Sequence, residues 1–298
     1  MTSPTSARDG AFRRQDSKFR DWPDAIVAGR YHLYVSYACP WAHRTIIARE
    51  LMGLQDAIGM SVVDPYRDDD PGWAFTGGEY TDPVNGFATL RQAYLATEPD
   101  FDMRVSVPVL WDTEEGRIVN NESADILRMF STVFEPLADS PVKLAPEHLI
   151  EDIDELNARI YDEVNNAVYK AGFTTRQEIY EREVRGIFAL LDELDERLEH
   201  RRFLFGDAPL ETDWRLFTTL VRFDAVYAIH FKCSLKRIVD YANLWPYLRD
   251  LYQWPGVAET VRFDEFRRHY YGTHPSINPN GLLALRPDED FDAPHGRG

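Results

Sequence analysis

The sequence contains only two cysteines, Cys39 and Cys233, among 298 residues. Two cysteines cannot form the set of disulfides that stabilises small secreted domains, and such usage is typical of a reducing cytoplasm. The N-terminal segment lacks the apolar core of a secretory signal, and no apolar run approaches the length of a membrane span. We therefore expect a cytoplasmic protein without a transmembrane segment.

Basic charge is also scarce. The chain carries 33 Lys and Arg against 50 Asp and Glu, a formal net charge of -17. Binding to nucleic acid phosphates or to an anionic membrane surface requires a basic face, so neither is expected as a partner. The apolar fraction of 44% is ordinary for a globular protein, and the length is ample for a buried core.

The residue patterns divide the chain into an α/β part and an all-helical part. We predict an N-terminal arm at 1–30, an α/β domain at 31–135, a helical domain at 146–270 and a tail at 271–298. A Pro/Gly/Asp-rich insertion occupies about 61–90 of the first domain, and its Asp68–Asp70 run is predicted to be a solvated loop. A linker with Pro136, Pro141 and Pro146 joins the two domains.

Within the first domain, alternation and turn residues predict short strands and helices. The aromatic and β-branched stretch 31–37 predicts a strand, and 42–51 shows helical spacing before Gly53. Residues 105–111 predict a second strand interrupted by Pro108, followed by a hairpin partner at 117–120 and a helix at 123–130. A short helix is expected near 90–96.

The second domain has apolar residues at the i, i+3, i+4 and i+7 positions of helices. The predicted helices are 149–168, 176–198, 212–229, 242–252 and 257–269, separated by Gly and Pro.

Cys39 lies where the first strand gives way to a helix, and Pro40 follows it directly. At a helix start, unpaired backbone N–H groups and the helix dipole favour a thiolate and lower the pKa of a cysteine. Proline is well tolerated at the first helical position. An activated thiol is the functional interpretation, and a small buried hydrophobe is the alternative.

Pro108 supplies a second indication. In a thioredoxin-type layout a Val-Pro bond at this point is commonly cis and packs opposite the active cysteine, so that the Val107 backbone can pair with the peptide of a bound thiol. An edge-strand or bulge proline is the alternative.

Glu122 and Ser123 lie at the start of the next predicted helix. Helix-start N–H groups and the Ser123 hydroxyl can hold a carboxylate, while Glu122 can receive an ammonium group. A ligand with both groups on one carbon is an amino acid or the γ-glutamyl end of glutathione. An ordinary helix cap is the alternative.

Position 42 is Ala, so no second cysteine follows Cys39 at Cys-x-x-Cys spacing and the cysteine must act as a monothiol. Cys233 in IHFKC is predicted to pack in the core. His43 is expected to make surface hydrogen bonds, and the histidines near Tyr270 show no zinc pattern, so no metal is expected.

Seven stretches resemble the glutathionyl-hydroquinone reductases, the xi class of glutathione transferases. The stretches are CPWAHR, SVPVLWD, IVNNESADI, VNNAVYKAGF, DWRLFTTLVRFDAVY, HFKC and HYYGTHPSINP, and the arm GAFRRQDSKFRDW is similar too. The resemblance runs in register from about residue 10 to 285. It implies a thioredoxin-like N-terminal domain, an α-helical C-terminal domain and a homodimer.

The resemblance also implies a reaction and the residues that perform it. The reaction is reduction of S-glutathionyl-hydroquinones, in which a second glutathione gives hydroquinone and glutathione disulfide. Cys39 matches the catalytic cysteine, and Pro108 is structural. The residues that match the glutathione site are Trp73, Arg104, Val107, Glu122 and Ser123. The hydroxyls that line the quinol site match Tyr169 and Tyr270, and also Tyr271, at a position that often carries phenylalanine.

Trp73 is expected to be an exposed aromatic that covers the bound thiol, or else a loop anchor packed on its domain. Two departures from the family stand out: Leu210 replaces a capping Thr, so that Thr212 or Asp213 would cap that helix, and Arg286 replaces a tail Gly.

Two alternatives stay open. An omega-like thiol transferase or dehydroascorbate reductase uses the same monothiol, and mycothiol can take the place of glutathione in the same chemistry. A non-enzymatic scaffold would have lost the cysteine or the Glu-Ser pair, and neither is lost here.

Overall fold

The computed structural model of the protein describes residues 9–67, 72–140 and 142–298. The described chain forms two compact units. An α/β unit comprises Gln15–Lys143 and Glu259–His269, and a helical unit comprises the segment that ends at Arg14 together with Leu144–Ala258 and Tyr270–Gly298. The Asp68–Asp70 run and Pro141 lie outside the described residues.

The α/β unit is built on a four-stranded mixed sheet. The strands are β1 (Tyr31–Val35), β2 (Ile58–Val62), β3 (Val109–Asp112) and β4 (Arg117–Asn120), in the order β2-β1-β3-β4. β2 is parallel to β1, whereas β3 is antiparallel to both β1 and β4. All five residues of β1 are buried, as expected for an aromatic and β-branched strand in the centre of a sheet.

The sheet is accompanied by the helices α1 (Pro40–Leu51), α2 (Arg91–Thr97) and α3 (Ser123–Phe130). α1 begins with Pro40 at its first position, and Gly53 beyond its end has a φ of 62°, which a glycine adopts without strain. α1 packs against α3. This is the thioredoxin-like arrangement that the sequence predicts, with a helix starting directly after the central strand.

Two details of the sheet differ from the expectation. β3 begins only after Pro108, because proline has no N–H for a strand ladder, so 105–108 is not strand. β2 was not predicted, since IGMSV is short and contains a glycine, and its strand character depends on parallel pairing with β1.

In the described part of the helical unit, wide π-helical turns follow two of the helices. Its elements are α4 (Ile150–Ile160), the turn Tyr161–Asn165, α5 (Ala167–Phe173), α6 (Gln177–Arg197), α7 (Glu211–Arg222), the turn Phe223–Tyr227 and α8 (Leu244–Tyr252). α9 (Phe263–Gly272) is divided, with its residues up to His269 in the α/β unit and those from Tyr270 in the helical unit.

The π-helical turns interrupt helices that the periodicity predicts as continuous over 149–168 and 212–229. Such wide turns are rare and occur frequently at functional sites. The first turn directly precedes the helix that carries Tyr169, and the second contains Tyr227.

Asp213 caps the start of α7, which settles the question that Leu210 raised. The carboxylate of Asp213 accepts the N–H groups of Leu210 at 2.8 Å and Leu204 at 3.0 Å, and the hydroxyl of Tyr247 at 2.8 Å. The Thr212 hydroxyl oxygen is buried without a hydrogen bond among the described residues, so it is not the cap.

Within the described ranges, no helix combines the length and the hydropathy needed to cross a bilayer.

Candidate active site

Cys39 is the residue that immediately precedes α1. Its backbone is extended (φ −82°, ψ 120°), its carbonyl accepts the N–H of His43 at 2.9 Å, and its side chain is partly exposed. The Sγ atom lies 3.7 Å from the Val107 carbonyl oxygen, to which the thiol donates. The thiol therefore lies at a helix N-terminus, where backbone N–H groups and the helix dipole stabilise a negative charge.

Val107 joins Pro108 through a cis peptide bond, as the sequence predicts. Val107 is buried, and its carbonyl group faces the Cys39 thiol. The described residues provide no hydrogen-bond acceptor for the Val107 N–H. This backbone N–H is available to a bound peptide.

Glu122 is the N-cap of α3, and its carboxylate already accepts hydrogen bonds from several donors. Oε1 accepts the Ala124 N–H at 3.0 Å and the Ser123 hydroxyl at 3.4 Å, and Oε2 accepts the Ser17 hydroxyl at 2.9 Å. The geometry is that of an ordinary helix cap. A carboxylate has about four acceptor positions, so the cap leaves room for an ammonium group as well.

The N-terminal arm supports two of the predicted glutathione residues, which the sequence did not reveal. Ser17 donates to Glu122 and to the Asn121 carbonyl, and Gln15 makes two hydrogen bonds of 3.0 Å with the backbone of Arg104. Arg104 itself is exposed. The only sequence signal for this role was the similarity of the arm to the family.

Trp73 lies in the predicted insertion and is 4% exposed, so the expectation of an exposed ring is wrong. Its ring stacks on the imidazole of His269, with 5.1 Å between centroids, and the Arg67 guanidinium lies 5.9 Å from the Trp73 centroid. The observed packing matches the loop anchor that the sequence left open.

Tyr169 and Tyr270 are brought together in the helical unit although they are 101 residues apart in sequence. Their hydroxyl oxygens are 2.5 Å apart, and the Tyr227 hydroxyl lies 2.9 Å from that of Tyr270. Burial raises the pKa of Tyr227 and Tyr270 well above 10. These phenols are therefore neutral at physiological pH and can act as hydrogen-bond donors. The sequence did not reveal Tyr227.

The hydroxyls of Tyr169, Tyr227 and Tyr270 form a phenol cluster. Arg14 of the N-terminal arm contacts this cluster, and the predicted third tyrosine, Tyr271, bonds to a backbone carbonyl. The Arg14 guanidinium carbon lies 4.6 Å from the centroid of the Tyr169 ring, and its Nε donates to Asn166 at 2.8 Å. The Tyr271 hydroxyl donates to the Ala225 carbonyl at 3.0 Å instead of joining the other phenols.

The remaining candidate residues have structural environments. His43 is fully buried, 2.8 Å from the Thr260 hydroxyl, so the expected surface position is wrong. Cys233 is buried as predicted, and burial raises the pKa of its thiol to about 12, which keeps it protonated. In the part of the chain that the structure describes, no group of three or more His, Cys, Asp or Glu side chains could hold a metal ion.

Comparison with protein-family models identifies the class. Residues 38–133 match the glutathione S-transferase N-terminal domain, and residues 177–250 match the glutathione S-transferase C-terminal domain. The chain is therefore an enzyme of the glutathione transferase superfamily, with the expected thioredoxin-like and all-helical domains.

Full-length relatives identify the family. The chain is 48% identical to the glutathionyl-hydroquinone reductase YqjG of Escherichia coli over 98% of this chain and 94% of that protein. A solved structure of YqjG with glutathione bound has a TM-score of 0.90 and covers 94% of this chain and 96% of the other. A xi-class transferase from Natrialba magadii is 53% identical, with a TM-score of 0.91 and coverage of 94% and 88%. The chain belongs to the glutathionyl-hydroquinone reductase family, the xi class of glutathione transferases.

Proposed function

We propose that the protein reduces S-glutathionyl-hydroquinones with glutathione, through a mixed disulfide on Cys39. The observation that carries this proposal is a partly exposed monothiol at a helix N-terminus, 3.7 Å from the carbonyl of a cis Val-Pro unit. The names and glutathione-bound structure of the relatives support the substrate class.

The reaction has two displacement steps. In the first, the Cys39 thiolate attacks the sulfur of the glutathionyl thioether, and the sulfur–carbon bond breaks. The bonding electrons go to the ring carbon, which takes up a proton to give the hydroquinone. In the second, a glutathione thiolate attacks the glutathione sulfur of the mixed disulfide, which releases glutathione disulfide and the Cys39 thiolate. One adduct and one glutathione thus become hydroquinone and glutathione disulfide.

The glutathione moiety is assigned to residues of the α/β unit. The free N–H of Val107 would pair with the peptide, Glu122 would receive the ammonium group, and Ser123 and the start of α3 would hold the carboxylate. Arg104 and Trp73 complete the predicted set.

The quinol is assigned to the phenols of the helical unit. A carbon leaving group needs activation, and the hydroxyls of Tyr169 and Tyr270 can donate a hydrogen bond to a quinol oxygen. Tyr271 stays a predicted member of this site.

The test is mass spectrometry of Cys39 after incubation with glutathionyl- or mycothiol-hydroquinone adducts. We expect a mass increment of one glutathione on Cys39, and loss of turnover by at least a hundredfold in Cys39→Ser. Cys233→Ser is the matched control, since the buried thiol of Cys233 should leave turnover intact.

Several results would contradict the proposal. Undiminished turnover in Cys39→Ser would remove the mixed disulfide from the mechanism, and an increment only with the mycothiol adduct would change the thiol. Faster turnover of dehydroascorbate than of the quinol adduct would favour the omega-like alternative. Light scattering tests the predicted homodimer separately.

A further inference from the structure

We propose that His269 is a positioning residue that fixes the Trp73 ring for glutathione binding. The inference rests on the proposed function, since Trp73 is assigned to the glutathione site, and it adds a residue with no previous role. Both residues belong to the α/β unit.

The orientation of the His269 ring is itself fixed by a hydrogen bond. The Nδ1 atom lies 2.8 Å from the carbonyl oxygen of Pro65, and because a carbonyl only accepts, Nδ1 carries the proton. The ring belongs to the last turn of α9, so its backbone is also held by the helix. The imidazole thus presents a defined face to its neighbours.

That face is stacked on Trp73. The two rings are inclined by 18°, with 5.1 Å between their centroids, which is the offset-stacked geometry that aromatic pairs prefer. Contact of this kind restricts both side-chain torsions of the tryptophan.

The backbone of Trp73 is anchored independently of His269. The Trp73 carbonyl accepts the Leu90 N–H at 2.9 Å, and the neighbouring Ala74 carbonyl accepts the Asp64 N–H at 2.9 Å. We therefore expect removal of the imidazole to loosen the indole torsions while the main chain stays in place. A ring that must be ordered on binding costs affinity, so the expected effect falls on glutathione binding.

The experiment is a double-mutant cycle measured as the Kd of glutathione by calorimetry. We expect His269→Ala to weaken binding about three- to tenfold, the range that an aromatic pair contributes. His269→Phe, which keeps an aromatic plane but loses the bond to Pro65, should recover part of the affinity. In a Trp73→Ala background, His269→Ala should have no further effect.

Two further readouts separate positioning from general destabilisation. In turnover, His269→Ala should raise the KM for the glutathionyl adduct by a larger factor than it lowers kcat. It should also change the tryptophan fluorescence of the wild type but not that of Trp73→Phe. His148→Ala, at an exposed histidine, is the matched control and should alter none of these quantities.

The outcomes that overturn the inference are specific. An equal loss of affinity from His269→Ala with and without Trp73 would show that the histidine acts elsewhere, and no loss in the wild type would show that the stack has no role. Failure of the wild-type protein to bind glutathione would overturn the proposed function and this inference with it.

Discussion

At the scale of single residues, the Tyr169 and Tyr270 hydroxyls, with their oxygens 2.5 Å apart, are the feature with the clearest chemical consequence. A phenol that donates to a quinol oxygen stabilises charge that develops as the carbon–sulfur bond breaks. We expect Tyr169→Phe or Tyr270→Phe to slow single-turnover deglutathionylation about ten- to a thousandfold while the Kd of glutathione changes little. Rapid-quench kinetics and calorimetry measure the two quantities.

Tyr180→Phe is the control for these variants, because the Tyr180 hydroxyl donates to the Lys232 carbonyl and is outside the phenol cluster. An unchanged single-turnover rate in both tyrosine variants would remove the phenols from the mechanism.

At the scale of elements, Asp213 ties the start of α7 to two other segments of the helical unit. Its carboxylate is fully buried and accepts two backbone N–H groups and the Tyr247 hydroxyl. In Asp213→Ala these three donors lose their acceptor in the interior. We expect the free energy of unfolding to fall by about 2–4 kcal/mol, since each buried unsatisfied group costs about 1–3 kcal/mol and relaxation recovers part of it.

Chemical denaturation followed by far-UV circular dichroism measures the loss. Asp207→Ala, a nearby exposed position, is the matched control and should change stability by less than about 0.5 kcal/mol. Equal stability of Asp213→Ala and the control would show that water replaces the carboxylate.

At the scale of the whole molecule, we expect a buried carboxyl pair, Glu289 of the C-terminal tail and Asp224, to make stability depend on pH. Glu289 and Asp224 are both buried, and they are close enough for the charge of one to act on the other. Burial and then the neighbouring Asp224 raise the pKa of Glu289 to about 8, and burial raises the pKa of Asp224. A second negative charge on such a pair is disfavoured by repulsion, which the nearby cations Arg237 and Arg286 only partly offset.

The sign of the pH dependence follows from proton counting. Between pH 4.5 and about 8 the folded protein keeps a proton that the unfolded chain releases, so stability falls as pH rises through this window. We expect the Tm of the wild type to fall from pH 5 to pH 8 more steeply than that of Glu289→Gln, whose amide does not titrate in this range.

Differential scanning calorimetry across this range measures the difference. Asp288→Asn removes the same charge at the adjacent exposed residue, so it corrects for the overall charge of -17. Parallel pH profiles for the wild type and Glu289→Gln would mean that Glu289 is ionised throughout.

The elements that the sequence predicted well are those with local signals. β4 and α3 have the predicted bounds, and α6 differs by one residue at each end, because alternation, caps and 3.6-residue spacing are properties of neighbouring residues. The π-helical turns and β2 were missed, because an extra residue in a helix turn leaves the apolar spacing nearly intact and a short strand depends on its partner.

The candidate site shows the same division. The sequence identified Cys39 at a helix start and the cis bond before Pro108, since both depend on residues adjacent in the chain. The sequence did not predict the roles of Gln15 and Ser17, because their partners, Arg104 and Glu122, lie about ninety to a hundred residues further along the chain.

The sequence by itself determined the fold class, the monothiol character of Cys39 and the family. Composition, periodicity and motifs in register suffice for these, because each is written in short stretches of chain. Only the tertiary structure decided that the Tyr169 and Tyr270 hydroxyls meet, that His269 covers Trp73, and that His43 is buried. Such contacts join residues that are far apart in the chain, and the packing of whole helices and loops determines which side chains meet.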